Sequence, residues 1–218
     1  MDNRMVTVCG IDEAGRGPII GSLFLAGAVI EEGQEDVLKQ MGVKDSKLLT
    51  PKKRDQLFEQ VKSVIKSYKI IRVGPDEIDD AVNGVGGINL NWLEANKAVE
   101  VLNELNAHKC IIDCPSPNIP AYTTFIEKKL TVKTKVLCAH HADTDYVVVG
   151  AASILAKVSR DAEIAALRKK IGVDFGSGYI TDPKTKAFVE SYWDKYPEIF
   201  RHSWKTFKNA AQQSLGKY

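Results

Sequence analysis

Two acids, Asp12 and Glu13, stand side by side in the stretch GIDEAGRG, directly after an apolar run that contains Val6, Val8 and Ile11. Successive side chains on a strand alternate faces, so in a central strand the two cannot both reach water. A buried ionised carboxylate is costly unless positive charge meets it. The plain alternative is a strand that stops at Ile11, with the acids opening a solvated loop. Three more acids bear on the choice. Asp113 closes the run KCIID, and Pro115 and Pro117 in DCPSPN cannot continue a strand. Asp143 and Asp145 stand just before a long helical pattern. Taken singly, Asp113 suits a turn and Asp143 a helix N-cap.

Taken together they point elsewhere. In open α/β sheets, functional groups gather beyond the carboxyl ends of parallel strands. If the first and fourth strands are parallel neighbours, Asp12 and Asp113 enter one crevice, which Asp143 reaches from a helix start. Four carboxylates there (Asp12, Glu13, Asp113 and Asp143) repel one another unless cations lie between them. Hard oxygen ligands select Mg2+ or Mn2+. Two such ions about 3.5–4 Å apart activate a water and stabilise a leaving oxygen in phosphoryl transfer. Asp145 is expected to be dispensable.

The elements that must position these acids follow from periodicity. Strand-like runs cover 5–12, 22–30, 68–73, 109–113 and 132–138. The first two are close enough in sequence for an antiparallel hairpin, which the third extends. Helical patterns separate the later strands, as parallel crossovers require. Residues 51–66 place Leu57, Phe58, Val61, Val64 and Ile65 on one face, behind a Thr50 N-cap and Pro51. A second helix is expected over 89–106 and a third from about 146 to 170. Shorter helical pieces at 183–195 and 203–211 suit a small C-terminal helical appendage. Three early strands followed by alternating helix and strand predict an α/β fold with a mixed five-stranded sheet flanked by helices. The expected division is a catalytic domain over 1–178 and an appendage over 179–218.

Composition narrows the classes. With 218 residues, 44% of them hydrophobic, the chain suits one compact domain or one with a small addition. Its longest apolar stretch, LFLAGAVI, is far short of the ~20 residues of a membrane helix, so no membrane association is expected. No secretory leader is recognisable, and a cytoplasmic location follows. Cys9, Cys110, Cys114 and Cys138 have no zinc or disulfide spacing and read as small core residues. The net charge is only +2, but KDSKLLTPKKR, RKK and RHSWKTFK concentrate cations, which fits a polyanionic ligand. Lys52 and Lys53 fall in a first helical turn, where solvent screens them, so Lys47 in the preceding loop is the better phosphate candidate.

The stretches GIDEAGRGPIIG, KDSKLLTPKKR, IIDCPSPN, HADTDYVVVGAASILAKVSRD and GSGYITDP occur in this order over nearly the whole chain. In them the sequence resembles type 2 ribonuclease H (ribonuclease HII), in its archaeal and eukaryotic form. The resemblance implies a ribonuclease-H-like fold. It also implies cleavage of RNA in RNA–DNA hybrids and at ribonucleotides embedded in duplex DNA. It assigns metal binding to Asp12, Glu13, Asp113 and Asp143, and substrate contacts to Gly15, Arg16, Gly17 and Tyr179. A monomer is expected at this length, with accessory subunits or a sliding clamp as partners. Two positions depart from many members: His141 replaces a lysine and Val147 a proline.

Three other classes are separable by assay. A non-enzymatic nucleic-acid-binding module would bind in Mg2+ without turnover. A glycoside hydrolase using Glu13 and Asp113 as acid and base would work in a chelator. A metal-dependent DNA nuclease of the same fold, resolvase- or integrase-like, would not need a ribose.

Overall fold

The computed structural model describes residues 5–43 and 50–215. Strand β1 (Thr7–Ala14) turns into β2 (Leu23–Glu31), and helices α1 (Glu35–Gln40) and α2 (Pro51–Val64) follow before β3 (Ser67–Val73). Helices α3 (Pro75–Val82) and α4 (Leu90–Leu105) lead to β4 (Lys109–Asp113), and α5 (Ile119–Lys129) leads to β5 (Lys135–Ala139). The short α6 (Ala142–Asp145) precedes the long α7 (Val147–Ile171), and α8 (Pro183–Tyr192) and α9 (Lys205–Leu215) complete the order. Among the described residues the sheet has five strands in the order β3-β2-β1-β4-β5. β1 pairs antiparallel with β2 and parallel with β4, which pairs parallel with β5. The sheet is mixed, as the sequence predicts.

The first strand does not stop at Ile11. Its ladder with β2 runs on through Asp12↔Ala26, Glu13↔Leu25 and Ala14↔Phe24, so both acids are strand residues on opposite faces. β4 ends at Asp113 as expected, two residues before Pro115. The fifth strand starts at Lys135 rather than 132. Thr50 caps α2, its side chain accepting the Lys53 N–H. The structure adds helices over 35–40, 75–82 and 119–129. The last opens on Asn118, whose side chain accepts the Ala121 N–H, with Pro120 in the first turn. Asp143 is not at a helix N-cap position: it lies inside α6, a turn of helix that separates β5 from α7 and has His141 as its N-cap.

The described residues fall into two compact units. The first comprises Met1–Ala14, Phe24–Ile71 and Asn91–Val158; the second comprises Gly15–Leu23, Arg72–Leu90 and Ser159–Tyr218. Residues 179–218 thus share the second unit with 15–23, 72–90 and 159–178.

In the first unit, helices cover both faces of the sheet. On one face Val8, Ala26, Ala28 and Ile30 pack with Leu38 of α1, Leu57 and Val61 of α2, and the N-terminal half of α7. That half of α7 is apolar nearly all round: Val148, Val149, Ala151, Ala152, Ile154 and Leu155 are buried, as a helix enclosed by its own unit requires. It can sit so close because Gly10 stands in the middle of β1. A Cβ there would lie 2.4 Å from the Val148 carbonyl carbon and oxygen. On the other face Trp92 of α4 stacks on Tyr122 and Phe125 of α5. The second unit has its own core, in which Ile19 and Ile20 meet Ile164, Phe175, Phe188, Val189, Ile199, Phe200 and Phe207. Among the described residues no helix is long and apolar enough to cross a membrane.

Since the atoms a Gly10 side chain would meet are backbone, Gly10→Ala must push α7 off the sheet. A loss of about 3 kcal/mol is expected, or about 6–12 °C in melting temperature for a chain of this size. A variant melting within a degree of wild type would show that the contact between strand and helix is not tight.

Candidate active site

Gly10 and Asp12 lie on one face of β1, so the close approach of α7 at Gly10 also sets α7 against Asp12. Ser153 and Lys157, four residues apart on α7, are the residues met there. Ser153 hydrogen-bonds the Asp12 carboxylate, and the Lys157 ammonium lies 3.8 Å from Asp12 Oδ2 while donating to Ser153 Oγ. Asp12 Oδ1 accepts the Glu13 N–H at 2.7 Å. Asp113 reaches the same place through the parallel pairing of β4 with β1, and its Oδ1 accepts the Ala142 N–H at 3.2 Å. That bond ties the end of β4 to the start of α6, which carries Asp143. His141, left-handed at φ 58, makes the bend into α6.

One carboxylate oxygen each from Asp12, Asp113 and Asp143 lies within 4.8 Å of the others. Asp12 and Asp143 are each 4% exposed, whereas Asp145 is exposed. Burial drives the Asp12 carboxyl up from its ordinary 3.8 to about 6. Lys157 and Ser153 oppose that rise, and Asp113 adds to it. Glu13 is not one of the three converging groups. It faces the opposite side of the sheet, where its charge and that of Glu94 add to the burial that raises the Tyr122 hydroxyl. Lys47 lies outside the described residues. The four cysteines are free and buried, as expected of core residues.

The remaining sequence candidates lie in the second unit. Gly15 has φ 82, and a Cβ there would come within 2.7 Å of the Ser22 carbonyl oxygen. Gly17 differs: an added Cβ would meet only Tyr179 Cε1, at 3.5 Å. Tyr179 is 39% exposed, in the loop before α8, with its ring 5.2 Å from the Arg160 guanidinium carbon. Arg160 in turn donates to the Ser177 carbonyl. Arg201 is completely buried beneath Gly15 and Arg16. The sequence marks it only as one cation in a basic cluster, RHSWKTFK.

A model of the family described as Ribonuclease HII matches residues 9–207. The chain belongs to the ribonuclease HII family. A ribonuclease HII from Pyrococcus furiosus is 44% identical over 213 residues, covering 95% of this chain and 92% of that protein. The crystal structure of ribonuclease H2 from Pyrococcus horikoshii superposes with a TM-score of 0.88 at 39% identity, covering 96% of this chain and 99% of that one. The RNase HII of Archaeoglobus fulgidus, solved in complex with PCNA, gives 0.84 at 33% identity, covering 97% and 100%. The protein is therefore an endoribonuclease of the ribonuclease H type, which acts on RNA–DNA hybrids and depends on divalent metal. The donor set fits such an ion. Three hard oxygen ligands converge, and the burial of Asp12 leaves a charge that the single ammonium of Lys157 only partly offsets.

Without metal, the raised pKa makes ionised Asp12 a burden on the fold. The cost is full above about pH 6 and vanishes as pH falls toward 3.8; at pH 8 it amounts to about 3 kcal/mol. Asp12→Asn is therefore expected to melt above wild type in chelator at pH 8, with a margin that narrows by pH 5. Wild type is expected to gain melting temperature in Mg2+, and Asp12→Asn to lose that gain. A margin of the wrong sign, or one equal at both pH values, would contradict this account of Asp12.

Proposed function

We propose that this endoribonuclease cuts both the RNA strand of RNA–DNA hybrids and the 5′ side of single ribonucleotides embedded in duplex DNA, leaving 3′-hydroxyl and 5′-phosphate ends. Asp12, Asp113 and Asp143 are the proposed metal ligands and Mg2+ or Mn2+ the ion; Glu13, on the other face of β1 here, is the proposed fourth carboxylate and would join them only with its side chain turned round the strand's end. When bound, a pair of such ions supplies an activated water and stabilises the leaving oxygen. The chain's own part is to hold three acids in a fixed cluster, with Lys157 beside Asp12. Gly15-Arg16-Gly17 is the proposed reader of the ribose, Tyr179 stacks on the nucleotide, and Lys47 contacts phosphate.

The observation that carries the ribose-reading part is the contrast between the two loop glycines. The fold demands glycine at position 15, where the backbone is left-handed and the Ser22 carbonyl is in the way. It makes no such demand at Gly17, where a methyl group would find ordinary contact distance. A glycine that the fold does not need keeps the backbone bare for something to approach. RNA is told from DNA by its 2′-hydroxyl, which backbone groups can bind at close range.

The protein is proposed to act as a cytoplasmic monomer. The complex of the Archaeoglobus fulgidus enzyme with PCNA supports a sliding clamp as a partner. The second reading, a metal-dependent DNA nuclease of the same fold, is favoured by the acid cluster alone, which is indifferent to the sugar.

The test compares a DNA duplex carrying one ribonucleotide with its all-DNA twin, in Mg2+ and in chelator. Cutting is expected only with both ribose and metal; equal cutting of the twins would favour the DNA nuclease. Gly17→Ala should keep the wild-type melting temperature while losing at least about tenfold in kcat/KM. Gly15→Ala should also lose about 1–3 kcal/mol of stability. Tyr179→Ala should lose activity equivalent to about 1–3 kcal/mol of stacking, most of which Tyr179→Phe retains. A phenylalanine variant as poor as alanine would shift the role from the ring to the hydroxyl.

A further inference from the structure

The segment Arg201-His202-Ser203-Trp204 does something that the proposed chemistry leaves unassigned. Arg201 has no exposed surface, and among the described residues its donors meet carbonyls and no carboxylate. Nε donates to Gly21 O at 2.9 Å, Nη1 to Arg16 O at 2.9 Å and Nη2 to Gly15 O at 2.6 Å. Trp204 Nε1 adds a bond to Gly17 O at 3.3 Å. Two side chains, three positions apart, thus hold all three carbonyls of Gly15-Arg16-Gly17. Burying a guanidinium with no carboxylate among its hydrogen-bond partners is expensive, and burial leads the causes that bring its pKa down to about 10, against the opposing charges of Asp79 and Glu163. A core that needed only volume at this point would carry an apolar residue.

The grip has a direction. In a trans peptide the C=O and N–H point to opposite sides. With the Gly15 and Arg16 carbonyls turned toward Arg201, the N–H groups of Arg16 and Gly17 are turned away from it. The next peptide has no N–H, because its nitrogen belongs to Pro18. Two adjacent amides aimed the same way make a small site for an oxygen acceptor. Apart from the Arg201 Nε bond to Gly21 O, the rest of the loop is fixed by backbone bonds. Ile19 and Ile20 donate to Gly178 O, Gly21 donates to Ile199 O, and the Arg201 backbone N–H donates to Ile19 O.

We infer that Arg201 is a positioning residue, assisted by Trp204, that aims the Arg16 and Gly17 amides at the ribose 2′-oxygen. The inference rests on the reading of Gly15-Arg16-Gly17 as the ribose reader. The guanidinium fork touches no substrate; it sets the plane of two peptides that do. Lysine keeps the charge and the stem but cannot span two carbonyls as a rigid fork can.

The experiment measures binding of the single-ribonucleotide duplex and of its all-DNA twin in chelator, for wild type, Arg201→Lys and Trp204→Phe, with a cooperative melt as the check on folding. Wild type should prefer the ribonucleotide duplex. Arg201→Lys should lower that preference at least about tenfold while its affinity for the all-DNA twin holds; Trp204→Phe should lower it about threefold. In Mg2+, kcat/KM of Arg201→Lys should fall more than kcat. A lysine variant that keeps the wild-type preference, or weakens on both duplexes alike, overturns the positioning role. If Arg201→Lys does not fold, Trp204→Phe decides, and an unchanged preference in it overturns the role. A wild type with no preference for ribose overturns the ribose-reading loop itself, and Arg201's role with it.

Discussion

Three carboxylates that repel one another, two buried and one half-buried, are held together by the elements that carry them. Asp12 and Asp113 are locked by parallel strand pairing, and Asp143 by a turn of helix tied to Asp113 through the Ala142 N–H. Asp12 and Asp143, each 4% exposed, do not relieve the repulsion by swinging into solvent, as surface acids do. The cluster therefore settles its charge by other means: proton uptake, the neighbouring ammonium of Lys157, or a divalent cation. A divalent cation would satisfy the geometry most fully, because it carries twice the charge of an ammonium and binds several carboxylate oxygens directly. The rest of the first unit is the scaffold for this arrangement.

The scaffold depends on how thin the sheet is at one point. Gly10 lets α7 lie on β1, and that closeness brings Ser153 and Lys157 to Asp12. It also desolvates Asp12 and so raises its affinity for protons. One missing side chain thus links core packing to the electrostatics of the site. The opposite face of β1 is treated differently. There Glu13 lies within the influence of Glu94 and the buried Tyr122, so adjacent acids in the sequence have separate environments.

Much of this was legible from residue order. Asp113 could be placed at a strand end because prolines follow it, whereas the parallel pairing of β1 with β4 entered only as a condition, which the sheet meets. The continuation of β1 through Glu13 and Ala14 was not, because polarity argues against a central strand and only a packed helix on each face overrides it. Helix α3 opens with Pro75, Asp76 and Glu77, good first-turn residues, but it is too short for its apolar period to stand out. Arg201 was the least legible of all. A basic cluster reads as a solvated surface, and what buries this arginine is a set of backbone carbonyls nearly 190 residues earlier in the chain. Their direction is a tertiary fact with no local signature.

That separation sets an order of events during synthesis. Gly15, Arg16 and Gly17 leave the ribosome more than 150 residues before the groups that shape them, at Gly178, Ile199, Arg201 and Trp204. Contacts of such long sequence separation close late in folding. Asp12, Asp113 and Asp143 all precede residue 144, so the acid cluster is complete in sequence before the groups that hold Gly15-Arg16-Gly17 are made. A messenger cut short near its 3′ end would yield a chain that carries those acids but lacks the segment that shapes the loop. Loss of the segment beyond residue 200 would thus fall on the shape of the Gly15-Arg16-Gly17 loop and leave the three acids in the chain.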